Sequence, residues 1–311
     1  MRRSLLWVAS LLAVTTLMLG ACGFGFILGA LSAGGSAPFG GGAVAVIEVT
    51  GPITSGEGGD PFASGTAASG KVVRWIEEAT KDPQVRAIVL RIDSPGGGVT
   101  ASDEIYNAIV KAKAKDKKVV ASLGSVAASG GYYIAAPADR IVATPTSITG
   151  SIGVISIIPN VSGLLDKLGI ESYVFKSGQY KDTSTGLRPL TEGDRRVWQA
   201  IIDDSYERFV EVVAKGRGME VAAVRVVADC RILTGRQARE VKLVDELGDL
   251  PEAIQLAANL AGLPGEPRVV YYRERGFFAA LASSWLRPPW SAAVSALGLD
   301  LREPVQYRLV P

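Results

Sequence analysis

The stretch Val119-Val120-Ala121-Ser122-Leu123-Gly124-Ser125-Val126-Ala127-Ala128-Ser129-Gly130-Gly131-Tyr132-Tyr133 decides how the chain is read. Val119 to Leu123 is a short apolar run, the pattern of a buried strand. A turn of small residues follows, and Gly130 with Gly131 permits a sharp strand-to-helix corner. The start of the next helix offers free N–H groups and the positive end of a dipole. Ser129, at that corner, has the setting of a nucleophile. Yet the chain of 311 residues contains no histidine, and imidazole is the usual base for a serine nucleophile. Another side chain must take the proton, and lysine is the main candidate.

Outward from this corner the same alternation repeats. Upstream, Ala43 to Val49 reads as a buried strand and Val72 to Ala79 as a helix. Val85 to Ile92 reads as a second strand, ending at Ser94-Pro95-Gly96-Gly97-Gly98. Thr100 with Asp103 makes a capping-box-like start for a helix to about Lys115. Downstream, Ile141 to Thr144 and Ser172 to Lys176 read as short strands, with a helix from Ser162 to Leu168 between them. Thr191 and Asp194 cap a long helix on which Val197, Ile201, Phe209 and Val213 recur at helical spacing. Two more helical segments are expected, around 221–230 and 235–262. Strands alternating with helices predict an α/β domain of repeated βα units around a largely parallel sheet.

Three glycine- and serine-rich turns each follow a strand: Ser94 to Gly98, the Ser129 turn, and Thr149-Gly150-Ser151-Ile152-Gly153. Each alone is a common structural device. Ligands of open α/β sheets gather at the carboxyl ends of strands. Together the turns therefore place two hydroxyls and a candidate oxyanion hole at one sheet edge.

Composition removes other classes. The net charge is +2, so nucleic acid is not the default partner. Lys111, Lys113, Lys115, Lys117 and Lys118 read as the solvated end of a helix. Two cysteines, Cys22 and Cys230, make no disulfide framework and no CxxC pair. With no histidine either, a zinc site is not expected. Gly65 to Lys71 approximates a phosphate-binding loop, but Val72 stands where a hydroxyl would hold magnesium. No cofactor is expected.

The N-terminus points to a membrane. Arg2 and Arg3 are followed by no charge until Glu48, and residues 4–32 are strongly apolar. About 20 such residues span a bilayer, more than the apolar core of a cleaved signal peptide. The positive-inside rule keeps the N-terminus cytoplasmic and exports the rest. Leu19-Gly20-Ala21-Cys22 also looks like a lipoprotein cleavage box, which would leave Cys22 lipidated. The apolar run from Gly23 to Leu31 speaks instead for an uncleaved anchor. The expected division is an anchor at 1–35, a flexible linker with the first strand at 36–70, an α/β domain at 71–265, and a C-terminal tail at 266–311. That tail carries Phe277, Trp285 and Trp290 around Pro288-Pro289.

The segments SPGGGV, AASGGYYIA, TPTSITGSIGV, KSGQYKD and TGRQA occur in this order across roughly residues 43–250. In this the chain resembles the signal peptide peptidase A family, short form. Those are membrane-anchored Ser/Lys proteases with a fold of the Clp protease and crotonase group. The resemblance implies Ser129 as nucleophile, Lys181 as general base, and Ser151 as the hydroxyl that orients the lysine. It implies oxyanion donors at Gly130 N–H and at an N–H of the Gly96-Gly97 turn. It also implies residual signal peptides and other hydrophobic peptides as substrates, at the inner membrane of a bacterium. The homo-oligomer would be a ring, such as an octamer, in which serine and lysine meet across a subunit boundary. Cys230 departs from the family pattern, which has glycine there.

A lysine acts as a base only when neutral, whereas a free lysine has a pKa of about 10.4. The site must therefore disfavour the ammonium form, and a carboxylate beside the amine would undo this. Asp182 is adjacent in sequence and must point away. Two other readings compete. One is an acyl-thioester enzyme of the crotonase-like fold, which an exported location opposes. The other is a membrane scaffold or binding protein, which the presence of both dyad residues opposes.

Overall fold

The computed structural model describes residues 42–57 and 65–273. The expected membrane anchor, the Leu19–Cys22 box and the stretch from Phe277 to Trp290 lie outside the described residues. Among the described residues no helix is long and apolar enough to cross a membrane.

The chain starts with strand β1 (Ala43–Thr50), two short strands β2 (Ile53–Thr54) and β3 (Ala67–Ala68), and helix α1 (Ser69–Lys81). It continues with β4 (Val85–Ser94), α2 (Val99–Lys113), β5 (Lys118–Ala128), α3 (Gly130–Ala135), β6 (Arg140–Ala143) and β7 (Ile148–Gly150). After α4 (Ser162–Lys167) come the long α5 (Glu192–Arg217), α6 (Val221–Val227), β8 (Ile232–Thr234), α7 (Gly235–Glu240), β9 (Glu246–Leu247), α8 (Leu250–Leu260) and β10 (Arg268–Tyr272).

The main sheet runs β10-β1-β4-β5-β6-β9, and every neighbouring pair in that row is parallel. This is the expected α/β architecture with a parallel-rich sheet. β1 comes from the segment grouped with the linker and β10 from the C-terminal segment, and they pair with each other. β5 is long enough to serve two partners. Val120 to Leu123 pair with β6, and Val126 to Ala128 pair with β7. β7 in turn pairs antiparallel with β8.

The strands read as unbroken apolar runs because both faces of the sheet are covered. Ala45, Ile47, Ile88, Leu90, Val119 and Leu123 point into a core shared with α1, α2, α3 and α5. Val44, Val46, Ala87, Val89, Val120 and Val142 point the other way, onto Ala253, Ala257 and Ala258 of α8. Full burial of one Ile or Leu side chain contributes about 1.5–3 kcal/mol. The sheet and its helices thus form a stable platform, and the turns at its edge are free to hold unusual conformations.

Local expectations fared unevenly. Thr191 and Asp194 do form a reciprocal capping box on α5. The helix expected from Thr100 begins at Val99 after Gly98, with no side-chain cap. Asp103 instead spends its carboxylate on Tyr133 and Arg208. The strand expected over 172–176 is not a strand. That segment has no ladder partner, and its apolar residues lie exposed. The single helix expected over 235–262 is two, α7 and α8, separated by a left-handed Lys242 at φ 63° and by β9. On α5, Phe209 and Val213 are buried, whereas Val197 and Ile201 are exposed.

Candidate active site

Ser129 follows the last residue of β5 and caps α3, with φ 53° and ψ −122°. A non-glycine residue in so sparsely populated a region costs about 1–3 kcal/mol and persists only where its surroundings hold it. They do so on three sides. The Ser129 N–H donates to Gly150 O at 2.9 Å, and the Tyr133 N–H donates to Ser129 O at 2.9 Å. Behind the serine, the residues of α3 are all buried. Tyr132 Oη donates to Leu243 O at 2.8 Å, and Tyr133 Oη to Asp103 Oδ1 at 2.5 Å. Burial pushes both phenols well above their ordinary range. Burial of Asp103 opposes its charge, but hydrogen bonds from Tyr133 and Arg208 hold its carboxyl below the ordinary value.

The glycine turn after β4 packs directly against this corner. A Cβ on Gly130 would lie 3.1 Å from Gly97 N and 3.2 Å from Gly96 Cα. Only backbone without side chains allows that approach. The turn is fixed from the other side by β2. Ile53 N–H donates to Gly96 O at 2.8 Å, and Gly98 N–H donates to Ile53 O at 2.9 Å. Gly96 N–H is itself committed to Ser94 Oγ at 3.1 Å. That commitment corrects the expectation that Gly96 could donate to an oxyanion. Gly97 N–H and Gly130 N–H face each other across this corner, and neither has an acceptor among the described residues. The part played by Ile53 was missed in the sequence, because a two-residue strand has no periodicity to detect.

Ser151 stands beside Ser129. The β5–β7 register pairs Ala128 with Gly150, so each serine is the residue directly after a paired position. Ser151 is also left-handed, at φ 50°, and its N–H donates to Arg231 O at 2.8 Å. Thr149 Oγ1 ties the same turn to Ala127 O at 2.7 Å. Cys230 borders it too, at φ 68°. Glycine is the residue that adopts this conformation without strain, which gives physical content to the glycine expected there.

Lys181 is the residue the single chain does not bring in. It lies exposed, on a stretch from Ile155 onward in which Phe175 is 96% exposed and Ile155 80%. No hydrogen bond joins Lys181 Nζ to Ser129 or Ser151 in one chain, and neither hydroxyl has another partner among the described residues. Its neighbour Asp182 points the other way, into the protein, with a side chain only 6% exposed. Lys176 Nζ bonds both oxygens of that carboxylate at 2.8 Å. Arg188 adds Nε at 3.0 Å and Nη2 at 2.8 Å. Arg188 also reaches Asp194, from Nη1 to Oδ2 at 2.5 Å. Hydrogen bonds from Arg188 first, then from Lys176, hold the Asp182 carboxyl well below the usual carboxylate range. Asp194 is held low in the same way, by Arg188 and then by Thr191. This network was also missed in the sequence. Its signal was available, since Lys176, Asp182, Arg188 and Asp194 alternate in sign at a spacing of six residues.

Comparison with known proteins gives two overlapping family matches: peptidase family S49 over residues 111–264 and Clp protease over residues 67–149. The chain is 47% identical over 220 residues to a putative protease of Synechocystis, covering 71% of this chain and 75% of that one. It is 40% identical over 211 residues to a putative signal peptide peptidase SppA of Enterococcus faecium, covering 68% and 60%. Protease 4 of Salmonella typhi is 39% identical over 229 residues, covering 72% of this chain and 35% of its own length. The match thus spans three quarters of the first relative and less than two thirds of the other two.

Proposed function

The chain belongs to peptidase family S49 and is a serine peptidase; from that premise we propose that Ser129 is its nucleophile and Lys181, supplied by a neighbouring copy, its general base. The observation that carries this reading is the corner itself. A strained, half-buried serine lies beside two uncommitted backbone N–H groups, Gly97 and Gly130.

The reaction is acyl transfer. Neutral Lys181 Nζ takes the Ser129 Oγ proton as Oγ attacks the peptide carbonyl carbon. Negative charge develops on the carbonyl oxygen, and the Gly97 and Gly130 N–H groups are placed to receive it. The protonated lysine then gives its proton to the leaving amine, and the acyl-enzyme remains. Water, deprotonated by the same lysine, releases the acid and restores Ser129. The Ser151 hydroxyl, one residue past the Ala128–Gly150 pair, accepts from the amine and orients it.

Two features support the neighbouring copy. Lys181 is exposed in one chain, whereas a neutral lysine needs burial. The stretch carrying it exposes Ile155, Ile157, Tyr173 and Phe175, a surface too apolar to remain in water. A second copy laid over it would bury both, in a ring. The substrate we assign is a signal peptide left in the membrane after preprotein cleavage, together with similar hydrophobic peptides. The likeness to a putative signal peptide peptidase supports this, as does the apolar run at 4–32, which would anchor the catalytic domain on the extracytoplasmic face.

A fluorophosphonate probe tests the assignment. It labels the wild type, and Ser129→Ala loses both labelling and peptide hydrolysis. Lys181→Met loses hydrolysis with its fold intact. Retained hydrolysis in either variant refutes the dyad.

A further inference from the structure

We propose that Lys176 and Arg188 are positioning residues that hold the Asp182 carboxylate away from the Lys181 amine and so keep that amine able to accept a proton. The inference rests on Lys181 being the base. Its starting point is a conflict within the sequence: the base is followed directly by a carboxylate. An opposite charge within about 4–6 Å favours the ammonium form by roughly 1–3 pH units, and an ammonium cannot take a proton from serine. The chain resolves the conflict by turning Asp182 inward while Lys181 faces out.

The geometry of that turn is fully occupied. Both Asp182 oxygens accept from Lys176 Nζ and from Arg188. Arg188 is anchored in turn by Asp194, which the capping box ties to Thr191 through bonds of 2.9 and 2.8 Å to its Oδ2. Trp198 on α5 holds Thr183 from the same side, Nε1 to Oγ1 at 3.3 Å. Lys176 and Arg188, with Asp194 behind them, are thus the charged groups facing Asp182 from its own loop and from the start of α5. Two positive and two negative charges cancel, so the network adds no net charge beside the amine. Two cations on the carboxylate next to the base satisfy it completely.

The test is the pH dependence of kcat/KM in the full-length protein on a fluorogenic peptide. The wild-type rate rises with pH as the base loses its proton. In Lys176→Gln/Arg188→Gln the rising limb moves to higher pH by about one unit, with roughly tenfold lower activity below the limb and recovery above it. Adding Asp182→Asn to that double variant returns the limb to its wild-type position. A merely structural role predicts an equal loss at every pH and no rescue by Asp182→Asn. Either outcome overturns the proposal. If the double variant does not fold, Arg188→Gln alone, which removes both guanidinium bonds to Asp182 and leaves only Lys176 on it, carries the same comparison with and without Asp182→Asn, the limb moving less than in the double variant. Lys181→Met separates the premises. If Lys181→Met is inactive and the limb of Lys176→Gln/Arg188→Gln does not move, the positioning role alone is refuted; an active Lys181→Met refutes the base and this proposal with it.

Discussion

Replacing Gly97 by alanine tests whether the backbone of this turn holds an oxyanion. A Cβ there would lie 2.0 Å from the Ile53 carbonyl oxygen and 2.7 Å from its carbon and nitrogen. Real Cβ atoms do not approach closer than 3.0 Å, so the turn or β2 must move by at least 1 Å. The obstacle is main chain held by two hydrogen bonds and cannot rotate away. An oxyanion donor works at 2.7–3.1 Å, and losing one typically costs about 100- to 1,000-fold in kcat, roughly 2.7–4 kcal/mol. Gly97→Ala is therefore expected to lower kcat by about that factor, with KM little changed, and to slow fluorophosphonate labelling of Ser129. Gly98→Ala is the internal control. Gly98 has φ −61°, and its Cβ would meet only Ala101 Cβ at 3.6 Å and Ile53 O at 3.9 Å. That is ordinary contact, so kcat should stay within about threefold of wild type, or some 0.6 kcal/mol. Circular dichroism melts verify that both variants fold. A Gly97→Ala enzyme within tenfold of wild type, or an equal loss in Gly98→Ala, would refute the assigned donor.

Four further outcomes are expected. Mixing inactive Ser129→Ala and Lys181→Ala subunits restores peptide hydrolysis if the dyad spans two copies; no recovery at any ratio, with an active isolated monomer, counts against the shared site. Phe175→Asp with Ile157→Asp breaks the assembly in gel filtration and removes activity, whereas an unchanged mass with full activity frees that apolar stretch of any interface role. Tyr132→Phe leaves the buried Leu243 carbonyl without its 2.8 Å donor, so chemical denaturation should show a loss of about 1–3 kcal/mol. The folded-state pKa values of Asp182 and Asp194 lie below the ordinary carboxylate value, so their contribution is complete above about pH 4 and disappears as pH falls below it. Protection from hydrogen exchange over residues 176–194, taken against the intrinsic rate at each pH, should therefore fall in acid relative to pH 6, and Arg188→Gln should already show the lower protection at pH 6.

The parts of the fold that were legible in the sequence are those fixed by local patterns. β1, β4 and β5 announce themselves as β-branched runs because both their faces are buried. The capping box at Thr191 and Asp194 is a contact between residues three apart. Ser129, Ser151 and Gly130 stood out because small residues clustered where a strand ends, and the register of β5 with β7 puts the two serines side by side. What escaped detection depends on partners far along the chain. Ile53 meets the glycine turn across some 40 residues. Asp103 looked like a helix cap, yet it is drawn to Tyr133 and Arg208, the latter over a hundred positions away. The false strand at 172–176 is a related error. Tyr173, Val174 and Phe175 have β-sheet propensity, but propensity reports only a fit to a half-buried pleated surface, and one chain offers them none.

That last misreading bears on how a chain without histidine can work as a serine peptidase. Imidazole is a usable base near neutral pH even in water, so a Ser-His site can be complete within one chain. Lysine is not, and must be desolvated first. On the reading proposed above, a single chain supplies everything that does not require burial of the Lys181 amine. It holds the strained serine, leaves the Gly97 and Gly130 donors uncommitted, and keeps Asp182 occupied by Lys176 and Arg188. It withholds only the desolvation, because the stretch carrying Lys181 projects its apolar side chains outward. On the proposed reading these two features are one. The apolar residues that would drive association lie on the same stretch as the amine that association must bury, so the base gains its reactivity only as the assembly forms. An isolated subunit would then hold a formed nucleophile and an unusable base, which is a safe state for a protease before it is assembled.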